Sequence, residues 1–227
     1  MLYFNNVIKN FNMFIAILFM VISINLSSSI TIFAYNNDTS GYWDHDQIDS
    51  YILTYEVKGT EEDFNNLVDK AFEEWEKALQ RLTFDKLHPG DYLHSLFGSN
   101  IYIQQVNRLN FIPIESETNT TDKTFDNLGN IKFDYTPFLT IEKANIKILR
   151  DVPTNEKYKT ILHEIGHALG LGHTDNRTSI MYPFADSKIN SLEIGQCEVY
   201  TIYSNNHLDE ADYMEKRLGM RGEEICK

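Results

Sequence analysis

Residues 163 to 173 read His163-Glu164-Ile165-Gly166-His167-Ala168-Leu169-Gly170-Leu171-Gly172-His173. Two histidines four residues apart on a helix stack one turn above the other, so both imidazoles reach one ion at about 2.0–2.1 Å. Glu164 projects close enough to touch a ligand of that ion. Gly170 ends the helix, and a residue able to take positive φ lets the chain reverse and return His173 as a third nitrogen ligand. Three neutral imidazoles with an open fourth position describe a catalytic zinc site, because a structural site would be closed by a fourth protein ligand. With 7 His in 227 residues, a bare H-E-x-x-H arises by chance in roughly one chain in a hundred. Adding Gly170 and His173 at fixed offsets lowers that by roughly three orders of magnitude.

These side chains need a helix to carry them, and the pattern supplies one from Pro153-Thr154, with Tyr158, Ile161, Leu162, Ile165, Ala168 and Leu169 on a broad apolar face. Upstream, Tyr51 to Val57 alternates and reads as a strand ended by Gly59. Thr60 and Asp63 then resemble a capping box. Phe64, Leu67, Val68, Ala71, Phe72, Trp75, Ala78 and Leu79 follow at helical spacing, wide enough to lie on a sheet. Further strand character falls at Leu82-Thr83-Phe84, Ile101 to Val106, Ile131 to Tyr135 and Ala144 to Leu149, giving up to five strands. Residues 85–100 and 115–130 are polar loop. A short helix is expected from Asp209 to Leu218, with Gly219 after it.

The chain length allows one domain with extensions. With 42% hydrophobic residues it can fill a core, so wholesale disorder is excluded. Lys plus Arg number 20 against 33 Asp plus Glu, a net charge of -13 that repels a phosphate backbone and excludes nucleic acid as a partner. Lys9, an apolar run over residues 13–24 and Ala34 before polar residues fit an export signal over residues 1–34. The competing reading is an uncleaved membrane anchor, since apolar character resumes at residues 30–33. In an oxidising compartment Cys197 and Cys226 are a candidate disulfide closing a loop of about 30 residues. The alternative is that Cys197 is a small buried hydrophobe.

The His163–His173 segment is similar to the zinc signature of the metzincin metallopeptidases, and Ser179-Ile180-Met181-Tyr182-Pro183 resembles their Met-turn. Within that clan the chain resembles matrixins, the family of interstitial-collagenase-type catalytic domains. Trp43, Leu53-Thr54-Tyr55, Ala71 to Trp75 and Leu82-Thr83-Phe84 look like their first strand, first helix and second strand. Ile189-Asn190, Glu193-Ile194 and Tyr203 look like the start and end of their last helix.

The resemblance implies an α+β fold: a twisted mixed five-stranded sheet, a long first helix, a zinc-binding active-site helix, and a small C-terminal helical subdomain after His173. The expected organisation is an export signal (1–34), a short segment (35–42), a matrixin-like catalytic domain (43–204) and a C-terminal extension (205–227). The function implied is a secreted, monomeric zinc endopeptidase acting on protein or peptide, outside the cell. Zn²⁺ on His163, His167 and His173 would activate a bound water, and Glu164 would carry its proton. Met181 would form an apolar floor beneath the histidines, and Tyr182 and Pro183, with the loop to Lys188, would shape the pocket after the cut bond. The substrate would pair with the edge strand near Ile131 to Tyr135. A secreted zinc protein that binds peptide without turnover, a membrane-anchored protease, and a zinc hydrolase of non-peptide amides or esters are the alternatives.

Matrixins usually carry a second, structural zinc and calcium ions. His88, Asp91 and His94 have suggestive spacing, but a solvated loop is the preferred reading, so a single catalytic Zn²⁺ is expected. No zinc-blocking cysteine lies upstream; a carboxylate such as Asp38 is a candidate for a latency role. Asn37, Asn119 and Asn176 head N-x-[ST] motifs.

Overall fold

The computed structural model describes residues 41–43, 48, 51–59, 61–88, 90–91, 98–108, 128–184 and 193–226. The export segment, Asp38, Thr60, His94, Asn37, Asn119, most of the polar excursion after residue 108 and the loop over 185–192 lie outside them.

Five strands form one sheet: β1 (Ile52–Lys58), β2 (Thr83–Lys86), β3 (Ile101–Val106), β4 (Gly129–Tyr135) and β5 (Ile141–Leu149), in the order β2-β1-β3-β5-β4. All neighbours are parallel except β4, which pairs antiparallel with β5 and occupies an edge. The mixed sheet with helices on it is the expected α+β architecture. Both strands of the last pair are longer than their alternation suggested, β4 starting at Gly129 and β5 at Ile141. A register shift at Asp134/Tyr135 accommodates the turn that joins them.

Helix α1 (Glu62–Leu79) buries Phe64, Val68, Ala71, Phe72, Trp75 and Leu79, the stripe read from the sequence. Its start differs from the expected capping box. The N-cap is Glu61, whose side chain makes no cap hydrogen bond while its carbonyl accepts the Phe64 and Asn65 N–H groups. Tertiary burial of the apolar face therefore outweighs an optimised cap. Helix α2 (Thr154–Ala168) packs beside α1, with Trp75 Nε1–H donating to the Leu162 carbonyl at 3.0 Å.

The C-terminal part contains α3 (Gln196–Asn205), α4 (Glu210–Leu218) and α5 (Gly222–Ile225). Glu193 and Ile194, expected at the start of the last long helix, precede α3, which begins after Gly195. The tail forms two helices where one was expected. Gly219 closes α4 at φ 63°, and α5 follows directly. Cys226 in the tail is joined to Cys197 on α3, with Cα atoms 4.7 Å apart. Among the described residues no helix is long and apolar enough to cross a membrane.

Candidate metal centre

Almost every α2 residue from Lys157 onward is buried, so the helix sits inside the domain. His163 and Glu164 are buried, and His167 is half-buried in the last turn. The reversal after the helix is local chemistry. Gly170 has φ +97°, and a Cβ there would lie 2.7 Å from the Gly41 carbonyl oxygen, so only glycine fits both the turn and the close approach. Trp43 closes the same corner, its Nε1–H donating to the Ala168 carbonyl at 2.9 Å.

The reversal brings three Nε2 atoms into a triangle: His163 to His167 is 3.0 Å, His167 to His173 is 3.2 Å and His163 to His173 is 3.3 Å. Tetrahedral coordination with zinc–nitrogen bonds of about 2.0–2.1 Å has edges of about 3.3–3.4 Å, so the spacing suits that ion. Among the described residues this is the one His, Cys, Asp or Glu group that could hold a metal.

The outer nitrogens fix the tautomers. His163 Nδ1–H donates to the Ile180 carbonyl at 2.8 Å, and His167 Nδ1–H donates to the Leu171 carbonyl at 2.7 Å. With the proton on Nδ1, each Nε2 presents a lone pair to the centre. Two lone pairs 3.0 Å apart repel, and sharing a cation converts the repulsion into coordination. Burial, followed by the neighbouring His167 and His173, holds His163 well below its ordinary pKa. Burial and then His173 push His167 down to about 4. Protonation therefore does not relieve the crowding at neutral pH, and the donor set fits Zn²⁺.

Met181 is fully buried beneath the helix. A Cβ on Gly166 would lie 2.4 Å from its Sδ, so the glycine makes room for the thioether against α2. Tyr182 and Pro183 are half-buried, and the Tyr182 ring lies 5.4 Å from that of Phe184. The remainder of the expected pocket loop lies outside the described residues. His88 and Asp91 are joined by the His88 N–H to the Asp91 carboxylate at 2.7 Å, a local turn. Asn176 is exposed and accepts the Thr178 N–H at 3.1 Å.

Two features escaped the sequence reading. Ser179 Oγ–H donates to Glu198, buried on α3, and Ser179 Oγ accepts the Met181 N–H at 2.9 Å. Glu198 thus braces the turn whose Ile180 carbonyl orients His163. Its signal was an acid four residues before Ile202, on that residue's buried helix face. The second is Gly129, where a Cβ would meet Thr160 Cγ2 at 2.7 Å and Glu164 Oε1 at 2.8 Å, so the start of edge strand β4 runs directly over Glu164.

A family model described as matrixin matches residues 42–204. No curated protein matches the chain. Among solved structures the chain is similar to the crystal structure of an archaemetzincin from Methanopyrus kandleri, at 13% identity and a TM-score of 0.41, with 73% of this chain and 96% of that chain covered.

Proposed function

The chain belongs to the matrixin family and is a zinc-dependent metallopeptidase, and from that premise we propose that it is a secreted endopeptidase in which Glu164 moves the proton. The observation that carries this reading is the Nε2 triangle, with its tautomers set by two carbonyls and a buried carboxylate on the adjacent residue. His163, His167 and His173 would hold the metal, and zinc there would supply Lewis acidity and lower the pKa of a water towards neutrality.

The other steps belong to the chain. Glu164 accepts the proton of the attacking water and returns it to the departing amine nitrogen, so one carboxylate serves as base and then acid. Strand β4 offers its outer edge to an extended polypeptide, whose main chain would pair with it as an added strand. Because Gly129 lies against Glu164, a substrate paired along β4 passes its scissile bond near that carboxylate. Met181 floors the histidines, and Tyr182 and Pro183 border the pocket for the residue after the cut. Secretion rests on the signal-like residues 1–34, and a monomer is the working assembly.

Metal analysis of the purified protein should find about one zinc per chain, with cleavage of a denatured protein substrate that stops on chelation. Glu164→Ala should lower turnover by at least about 10²-fold with zinc retained. A zinc-free protein would overturn the reading. If Glu164→Ala leaves every property unchanged, the chain binds peptide without cutting it. N-terminal sequencing of the exported protein should begin at Tyr35; an intact N-terminus would mean an anchored enzyme.

A further inference from the structure

A cavity of about 210 Å³ lies between the C-terminal end of α1, the start of α3 and helix α4. It contains none of the metal-centre residues. The family match stops at residue 204, whereas Tyr213, Met214 and Arg217 of its lining come from α4. One wall of the cavity is therefore built by chain beyond the matched domain.

Its inner surface is apolar, with Leu79, Ile194, Val199 and Met214. The volume is below the roughly 300–1,000 Å³ of a drug-sized ligand site, which suits a single large side chain. The rim is cationic. Arg81 Nε pairs with Glu210 Oε1 at 3.0 Å, and the same carboxylate accepts the Tyr51 hydroxyl at 2.7 Å, so that acid is already committed. Arg217 is exposed and has no ion-pair partner among the described residues. Tyr213, 63% exposed, adds an aromatic edge. In a chain with 33 acids and 20 bases, a hollow whose Arg81–Glu210 pair cancels and whose Arg217 is left over carries one net positive charge, against the prevailing sign. Such a site complements an apolar group carried beside an anion, and repels a cationic one.

We propose that this cavity is an exosite for the polypeptide substrate, taking one aromatic or branched aliphatic side chain whose neighbouring Asp or Glu carboxylate is set against Arg217. The substrate identity of the occupant rests on the peptidase reading.

The test uses zinc-loaded full-length Glu164→Ala protein and two probes titrated by calorimetry, Gly-Gly-Asp-Phe-Asp-Gly-Gly and its counterpart with Lys in place of Asp. The acidic probe should bind, and the basic one should bind at least about tenfold more weakly. In the same background Arg217→Glu, a surface change checked by zinc content and melting, should weaken the acidic probe at least about tenfold. Met214→Trp should fill the cavity and do the same. In the active enzyme, Arg217→Glu should raise KM for a long substrate bearing the acidic-apolar element and leave a short peptide lacking it unchanged. Equal binding of both probes, or no effect of Arg217→Glu on the acidic probe, would overturn the exosite. If no form cleaves any peptide, the peptidase reading fails, while probe binding still decides whether the cavity takes this ligand.

Discussion

Gly166 shows how little freedom the metal centre has at the residue scale. An added methyl group would sit 2.4 Å from Met181 Sδ and 3.1 Å from Trp75 Cζ2, both fully buried. Gly166→Ala should therefore displace the thioether beneath the histidines and cost about 1–3 kcal/mol of stability. Parallel thermal melts and zinc titrations should show both properties falling. His173→Ala removes one corner of the Nε2 triangle; a competition assay with a chromogenic chelator should read zinc affinity lowered by well over tenfold, because losing a ligand costs more than losing a group that only orients one, itself worth about 10–100-fold. The three histidines and Glu164 were legible because their relation is local, set by helical periodicity and one glycine reversal. Glu198 was not, since its partner Ser179 is 19 residues away and the contact exists only after α3 docks.

The strands and helices were largely visible as patterns, but their arrangement was not. Alternation located β1 and β3, yet that β1 lies between β2 and β3, or that β4 turns back antiparallel at the edge, depends on pairings between distant segments. Docking between helices likewise relies on polar groups that periodicity does not report. Tyr203 on α3 donates its hydroxyl to the Leu79 carbonyl at the end of α1, and burial pushes its pKa up to about 12. Tyr158 on α2 is raised to about 12, mainly by burial and then by Glu74 and Glu73. Both folded values lie above the unfolded value near 10. Their contribution is fully present below pH 10 and is lost as pH rises from 10 through about 12. The melting temperature should therefore fall steeply over that window, in step with phenolate absorbance. Tyr203→Phe should reduce the alkaline fall and cost about 1 kcal/mol at neutral pH through the lost hydrogen bond.

On the scale of the whole molecule, the two ends of the described chain converge on the metal-bearing helix. The Trp43 N–H donates to Asn206 Oδ1 at 2.9 Å while its ring N–H holds the end of α2, so residues just past the family match help seat the entry segment. The tail is in turn tied back to α3. Tyr200 OH donates to Glu215 at 2.9 Å, the Gly222 N–H donates to the same carboxylate at 2.8 Å, and Cys226 is joined to Cys197. The cross-link spans 29 residues, which on the chain-entropy account contributes roughly 3–4 kcal/mol. It acts on α3, whose Glu198 braces the Met181 turn, so loosening the tail should be felt at the metal. Cys226→Ser should lower the denaturant midpoint without abolishing the fold, because the sheet and α1–α2 core hold no part of the bridge. Hydrogen exchange should quicken in α4 and α5 first and then in the Ser179–Met181 turn, with slower zinc retention loss than for His173→Ala. Unchanged exchange in that turn would show that α3 is held by its packing alone and that the bridge serves only the tail.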